Sequence, residues 1–253
     1  MSAPDPLPPP LPEATAPGSG YDLVAQQLIP GYASLARLAV ALLAASPLAS
    51  LPEAAVLVAG CGTGAELLAA REQRPDWRLT ALDPSAEMLA IARARLGEGS
   101  PVHWRCTAVE ELGDDPAFAG ALSVLVLQSL PDDGTKLRFL AALARSLRPG
   151  GQLVLVDLMR SSHSPLQAQM QGAWLGFQRA SGVVESAEAL AKLAGGLHPI
   201  GLARLTALVN AAGFSDPALF FQALDVQGFL LQRRDWGSGS AGAGAGDAGL
   251  DGS

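Results

Sequence analysis

A short apolar run, Ala55 to Ala59, leads directly into three glycines at alternate positions, Gly60, Gly62 and Gly64, and a second apolar stretch, Leu67 to Ala70, follows. The pattern reads as a buried parallel strand, a tight turn and a helix. No other feature of the 253 residues limits the fold so strongly. Glycine serves such a turn in two ways: it reaches φ > 0, and it lacks the Cβ that would hold a ligand away from the backbone. A ligand across this turn is the expectation. A turn that only packs strand on helix is the alternative.

The segment Trp77 to Asp83 reads as a second strand ending in an acid. An acid at the carboxyl end of the second strand can accept hydrogen bonds from both ribose hydroxyls of a nucleoside. Dinucleotide binders use the same device, so Asp83 alone does not choose the ligand. The glycine spacing helps: G-x-G-x-x-G seats a pyrophosphate on a helix N-terminus, whereas this chain has G-x-G-x-G with Ala65 and Glu66 opening the helix. A carboxylate there repels a pyrophosphate. S-adenosylmethionine carries no phosphate, and its amino-acid end brings an ammonium as well as a carboxylate. Because Asp83 lies at a strand end, its replacement by Ala is expected to leave folding little changed.

Helices and strands alternate along the rest of the chain. Tyr21 to Ala45 predicts one or two helices, and Pro84 with Ser85 opens a helix in which Met88, Ala92 and Leu96 mark the core face; proline is favourable at a first helical position. Val102 to Ala108 is expected as a third strand. Leu122 to Gln128 is a continuous apolar run, typical of a strand buried on both faces. Asp132 to Leu147 reads as a helix stopped by Pro149-Gly150-Gly151, and Gln152 to Leu158 as the fifth strand. Such alternation makes an α/β, Rossmann-like doubly wound sheet the natural solution. Ligands then bind beyond the carboxyl ends of the strands, here Gly60 to Gly64, Asp83-Pro84, Ala108-Val109 and Leu127-Gln128-Ser129.

Four segments together, VLVAGCGTGAELL at 56–68, LTALDPSAEMLAIARARL at 79–96, residues 125–158 and residues 212–234, resemble the class I S-adenosylmethionine-dependent methyltransferases over roughly residues 20–235. The subgroup it looks most like contains carboxy-S-adenosylmethionine synthase of the tRNA carboxymethoxyuridine pathway. That likeness rests on Ile29-Pro30-Gly31-Tyr32 and on the FFQAL-x-x-x-GFL ending. The resemblance implies a seven-stranded, mostly parallel sheet with a late antiparallel strand and helices on both faces. It implies that Gly60, Cys61 and Gly62 line the methionine part of the cofactor, that Asp83 holds its ribose, that Ala108 and Val109 flank the adenine, and that Tyr32 closes over it. Two departures stand out. Relatives often carry an acid at the position of Ala108, for which Glu110 is the substitute at hand, and an acid before the first glycine, where this chain has Ala59.

Residues 1–20 and 237–253 are rich in proline, glycine, serine and alanine and are expected to be disordered, leaving a methyltransferase domain at 21–236 with a lid or acceptor insert at about 160–200. In that insert Gln167, Met170, Trp174 and Phe177 fall at helical spacing, which suits packing on the sheet or an apolar acceptor pocket. His163 and His198 could serve as bases, but lone histidines on loops are more often merely solvated, and no catalytic residue is identified. No cysteine, histidine or carboxylate cluster has metal-ligand spacing, so no metal is expected. Cys61 and Cys106 are the only cysteines, which suits a reducing, cytoplasmic setting, and no apolar run reaches the ~20 residues of a membrane span. The net charge is −7 with a pI near 4.9, and the only lysines are Lys136 and Lys192. An acidic chain with no basic face disfavours nucleic acid and favours a small-molecule methyl acceptor. A carboxy-S-adenosylmethionine synthase is the second reading, for which Lys192 is the nearest counterpart of the relatives' carboxylate-binding arginine. A non-catalytic binding subunit is the third.

Overall fold

The computed structural model describes residues 19–97, 99–113, 117–160, 164–183 and 196–235. The terminal segments up to residue 18 and from residue 236, together with His163 and Lys192, lie outside the described residues. Seven strands form one sheet: β1 (Ala55–Ala59), β2 (Arg78–Leu82), β3 (Val102–Arg105), β4 (Phe118–Val124), β5 (Leu147–Leu158), β6 (Ala218–Ala223) and β7 (Val226–Gln232). Their order is β3-β2-β1-β4-β5-β7-β6. All pairings from β3 through β5 are parallel, and β7 runs antiparallel to both β5 and β6. The chain moves outward from β1 to β2 and β3 and then returns to place β4 on the other side of β1. The carboxyl ends of β1 and β4 therefore flank the crevice where such folds bind ligands.

Alternation along each strand splits the core in two. Val56 and Val58 of β1 face one core, with Leu35, Ala39, Val40 and Leu43 of α2 (Tyr32–Ala44) and Leu67 and Ala70 of α3 (Ala65–Gln73). Leu57 and Ala59 face the other, with Leu140 and Leu143 of α5 (Thr135–Ser146) and Leu205 and Val209 of α7 (Leu202–Ala212). Both faces of the central strands are covered, which is why these strands read as unbroken apolar runs rather than alternating ones.

Several boundaries differ from the sequence expectation. α4 spans Ala86–Leu96 and is capped by Ser85, whose hydroxyl accepts from Met88 N at 3.3 Å. Pro84 thus precedes the cap instead of holding the first helical position. Leu89 and Ala92 form its buried stripe, while Met88 turns toward the crevice. β3 stops at Arg105. β4 begins at Phe118 and ends at Val124; Leu125 has φ 58°, and Leu127–Ser129 form a single 3₁₀ turn. An apolar run reports burial, and buried turn and buried strand share it. β5 starts at Leu147, so the proline and the two glycines lie within its irregular first half and do not precede it.

The two segments that carried the subgroup likeness meet in space. Gly31 links α1 (Ser19–Leu28) to α2 with φ 82°, and a Cβ on it would stand 3.1 Å from Cζ of Phe221 on β6. Gly31→Ala should therefore lower the unfolding free energy by about 1–2 kcal/mol, from left-handed backbone strain plus the crowded ring. Urea denaturation with an unchanged m-value is the check.

Candidate functional site

Two adjoining cavities open at the carboxyl ends of β1, β2 and β4 and share Gly60, Pro84 and Val126 in their walls. The larger, about 250 Å³, is lined by Tyr32, by the turn residues Gly60 to Thr63, by Ala65 and Glu66, by Asp83 and Met88, and by Val124, Leu125 and Ser129. The smaller, about 120 Å³, lies between Ala59, Leu82, Ala108, Val109 and Phe139, with Glu110 at its edge.

The glycines divide the work. Gly60 has φ 72°, and a Cβ there would lie 2.4 Å from Cγ2 of Val126. Gly62 has φ 49° and no atom within 4 Å of a built Cβ; its open side makes room for a ligand against the backbone. Gly64 lines neither cavity. It starts α3 with φ 88° and is pressed against Ala92 and Leu96 of α4, so its task is close packing of turn on helix. Gln128 also stays out of both cavities: its Oε1 accepts from Leu158 N at 3.0 Å.

Asp83 is 8% exposed, and both of its oxygens are engaged, Oδ2 by Gly62 N at 2.9 Å and Oδ1 by Ser85 N at 2.8 Å. This corrects the expectation that it is dispensable for folding, which treated a strand end as an exposed one. The carboxylate ties the glycine turn to the entrance of α4 while its remaining lone pairs stay available to the cavity.

Glu66 is 7% exposed and faces the larger cavity. Burial, with a smaller contribution from the Asp22 charge, pushes its carboxyl up to about 7 against the opposing Glu66 backbone N–H and Arg95 guanidinium. Arg95 is committed elsewhere. Its Nη2 lies 2.7 Å from Asp22 Oδ2 and its Nη1 donates to Thr63 O at 2.8 Å, while Thr63 Oγ1 donates to Asp22 Oδ1 at 2.7 Å. These contacts seat α1 on the glycine turn. The Cys61 thiol is pushed up to about 12 by burial first and by the charges of Asp83 and Glu66 second. A thiol so disfavoured as thiolate is a small lining group and not a nucleophile.

A second buried acid lies below the 127–129 turn. Asp157 Oδ1 accepts from Gln128 N and Leu158 N, both at 2.9 Å, and its Oδ2 has no partner. Burial raises its carboxyl to about 7, against the Gln128 and Leu158 N–H groups and the nearby Lys136 charge. Lys136, fully buried, donates to Leu127 O, and its own pKa is lowered by burial. Neither acid stood out in the sequence as a buried charge. The sequence marks Glu66 as a carboxylate that repels a pyrophosphate at the opening of the helix, with no sign of its burial, and gives Asp157 no mark at all.

The insert helix α6 (Gln167–Ala180) has no buried residue and makes its contacts with α1, which argues against packing on the sheet and leaves the acceptor-pocket alternative open. Its Trp174 Nε1 donates to Leu28 O at 2.7 Å, which joins it to α1. His198 is exposed, beside Arg160 and Arg204 and away from the two cavities. Among the described residues no group of three or more His, Cys, Asp and Glu is placed to hold a metal ion, and no single helix is long and apolar enough to cross a membrane.

Two variants test these assignments. Asp83→Ala should cost about 2–3 kcal/mol of stability, because two backbone N–H groups lose a charged acceptor; urea unfolding in the absence of ligand measures it. Asp157 is protonated more readily folded than unfolded. Its contribution is therefore complete below its ordinary value near 3.8 and is lost as pH rises toward about 7, at up to about 1.4 kcal/mol per pH unit. Asp157→Asn should gain on the wild type as pH rises from 4 to 8, read as the difference in urea midpoints.

Comparison with known proteins agrees with this geometry. A family model described as a methyltransferase domain matches residues 56–151. The carboxy-S-adenosyl-L-methionine synthase of Shewanella sp. (strain ANA-3) is 28% identical over 186 residues, 71% of this chain and 76% of that protein. Mitomycin 7-O-methyltransferase MmcR superposes with a TM-score of 0.56 at 21% identity, over 80% of this chain and 55% of that longer one. The Burkholderia thailandensis 1,6-didemethyltoxoflavin-N1-methyltransferase, solved with bound 1,6-didemethyltoxoflavin and S-adenosylhomocysteine, gives a TM-score of 0.53 at 22% identity, over 91% and 94% of the two chains. The strand order and the glycine turn thus agree with a methyltransferase-domain match over residues 56–151 and with a fold shared with solved methyltransferases, and carboxy-S-adenosyl-L-methionine synthases are among the chain's sequence relatives.

Proposed function

We propose that the paired cavities hold S-adenosylmethionine and that the protein transfers its methyl group to a small-molecule acceptor. The observation that carries this reading is the chemistry of the larger cavity. Among the described residues its lining includes the carboxylates of Asp83 and Glu66 and no lysine or arginine side chain. Such a wall suits a donor with a sulfonium and an ammonium and opposes a pyrophosphate. Gly62 supplies the open backbone on which the donor rests, Asp83 offers its free lone pairs to the ribose hydroxyls, and Ala108 and Val109 give the smaller cavity the apolar walls an adenine needs. Tyr32, at the start of α2, covers the methionine side.

When bound, the sulfonium supplies an activated methyl group. The protein's part is to hold donor and acceptor in line and to exclude water, and positioning of this kind is worth ~7–11 kcal/mol in well-oriented reactions. Leu125, held at φ 58° with its N–H donating to Val156 O at 2.7 Å, bends the chain after β4. That bend brings Val124, Leu125 and Val126 into the cavity wall. Residues held in such strained backbone concentrate at functional sites.

A carboxy-S-adenosylmethionine synthase is the second reading, favoured by the names of the sequence relatives. A carboxylated donor needs a cation for its added carboxylate, and the described cavity walls offer none. The domain limits 21–236, the acceptor role of the insert and a cytoplasmic setting belong to the same proposal.

S-adenosylhomocysteine should raise the melting temperature and NAD should not, since only a ligand of the native state stabilises it. Stabilisation by NAD with no response to S-adenosylhomocysteine would sink the cofactor assignment. Mass spectrometry of ligand released from the purified protein separates the two enzyme readings, and recovery of the carboxylated donor would put the synthase first.

A further inference from the structure

We infer that Glu66 is the residue with which this cleft recognises the α-ammonium of its donor, and that a proton on Glu66 competes with donor binding. The inference rests on the S-adenosylmethionine reading above and extends it to a residue and a regulation.

The argument starts from position. With the base in the smaller cavity and the ribose at Asp83, the substituent on the nucleoside's 5′ carbon enters the part of the larger cavity that the smaller one does not share. Tyr32, Thr63 and Glu66 stand there. The strand leading into the turn is apolar throughout, from Ala55 to Ala59, so β1 contributes no acid to this end. The lone pairs that Gly62 N and Ser85 N leave on Asp83 are taken by the ribose in this reading. Glu66 is the remaining carboxylate in the wall.

Its surroundings leave it short of positive charge. From α1, Asp22 faces it with a like charge; from α4, Arg95 faces it but is bound to Asp22 and Thr63 O; from the turn and the end of β2 come Cys61 and Asp83. A phenol, Tyr32, completes the wall from α2. A carboxylate more than nine-tenths buried in that company is costly to ionise until a cation arrives. An incoming ammonium supplies that cation, and the group that neutralises itself with a proton in the empty cleft ionises when the donor binds. Burial already holds the Glu66 carboxyl up near 7, so the exchange falls in the neutral range. The sign follows. Donor affinity is full above about pH 7 and falls as pH drops below it, by about tenfold per pH unit while one proton competes.

The test is calorimetric titration of full-length wild type and Glu66→Gln with S-adenosylhomocysteine and with 5′-methylthioadenosine, which keeps the adenosine and thioether but lacks the amino-acid end. Expected at pH 8 is at least a tenfold loss of S-adenosylhomocysteine affinity in Glu66→Gln, with methylthioadenosine affinity unchanged. From pH 8 to pH 5.5 the wild type should lose S-adenosylhomocysteine affinity while the variant stays flat. The isosteric change removes a buried charge, so the variant is expected to fold. Equal affinity of wild type and variant for S-adenosylhomocysteine overturns the inference, as does an equal loss for both ligands or a flat wild-type profile. Failure of the wild type to bind either ligand at pH 8 overturns instead the cofactor reading on which it rests.

Discussion

The carboxylate of Asp83 holds two backbone N–H groups at once, Gly62 in the glycine turn and Ser85 at the cap of α4, at 2.9 and 2.8 Å. Around that bridge the rest of the site is arranged. Gly60 N and Cys61 N both reach Leu82 O at 2.9 Å, so the turn folds back over the end of β2 and is fixed from both directions. Ser85 then caps α4, which presents Ala92 and Leu96 to the Cα of Gly64. An acid at this position therefore does structural work before any ligand arrives. The same two bonds orient the carboxylate toward the cavity, which is the pre-organisation a binding site needs.

Much of this was legible in the sequence because it depends on short, rigid local signals. Alternate glycines after an apolar strand, and an acid at the end of the next strand, encode a turn and its anchor within about thirty residues. The doubly wound sheet followed from the alternation of helix and strand. The end of β4 was not legible. Leu125, Val126 and Leu127 are as apolar as the strand that precedes them, and burial alone cannot say that Leu125 takes a left-handed conformation. Glu66 and Asp157 were unreadable as buried charges for a related reason. Burial of a polar residue depends on what tertiary structure lays over it, in one case α1 and in the other the 127–129 turn.

The insert shows the limit more sharply. Gln167, Met170, Trp174 and Phe177 do share one half-buried face of α6, as the spacing suggested. That face has a partner the sequence could not name. Instead of the sheet, α6 meets α1, through the Trp174 indole N–H on the carbonyl of Leu28. Periodicity identifies a face; it carries no information about which element covers it when two candidates lie more than a hundred residues apart.

The pairing of α1 with α6 links the glycine turn to the insert. At one end α1 is pinned to the glycine turn by Asp22, which accepts from Thr63 and pairs with Arg95. At the other end the Leu28 carbonyl receives Trp174, and the Gly31 turn leads at once to Tyr32 in the wall of the larger cavity. A single ten-residue helix thus touches the glycine turn, the start of α2 and the insert. The contacts named are polar, and among its described residues only Ala25 is buried, at 8% exposed. Elements with few buried apolar contacts open at low free-energy cost. The geometry combines a rigid floor, set by Asp83 and the sheet, with a cover held by a handful of hydrogen bonds and one ion pair. On the proposed function, that division would let a small acceptor enter and leave without disturbing the glycine turn.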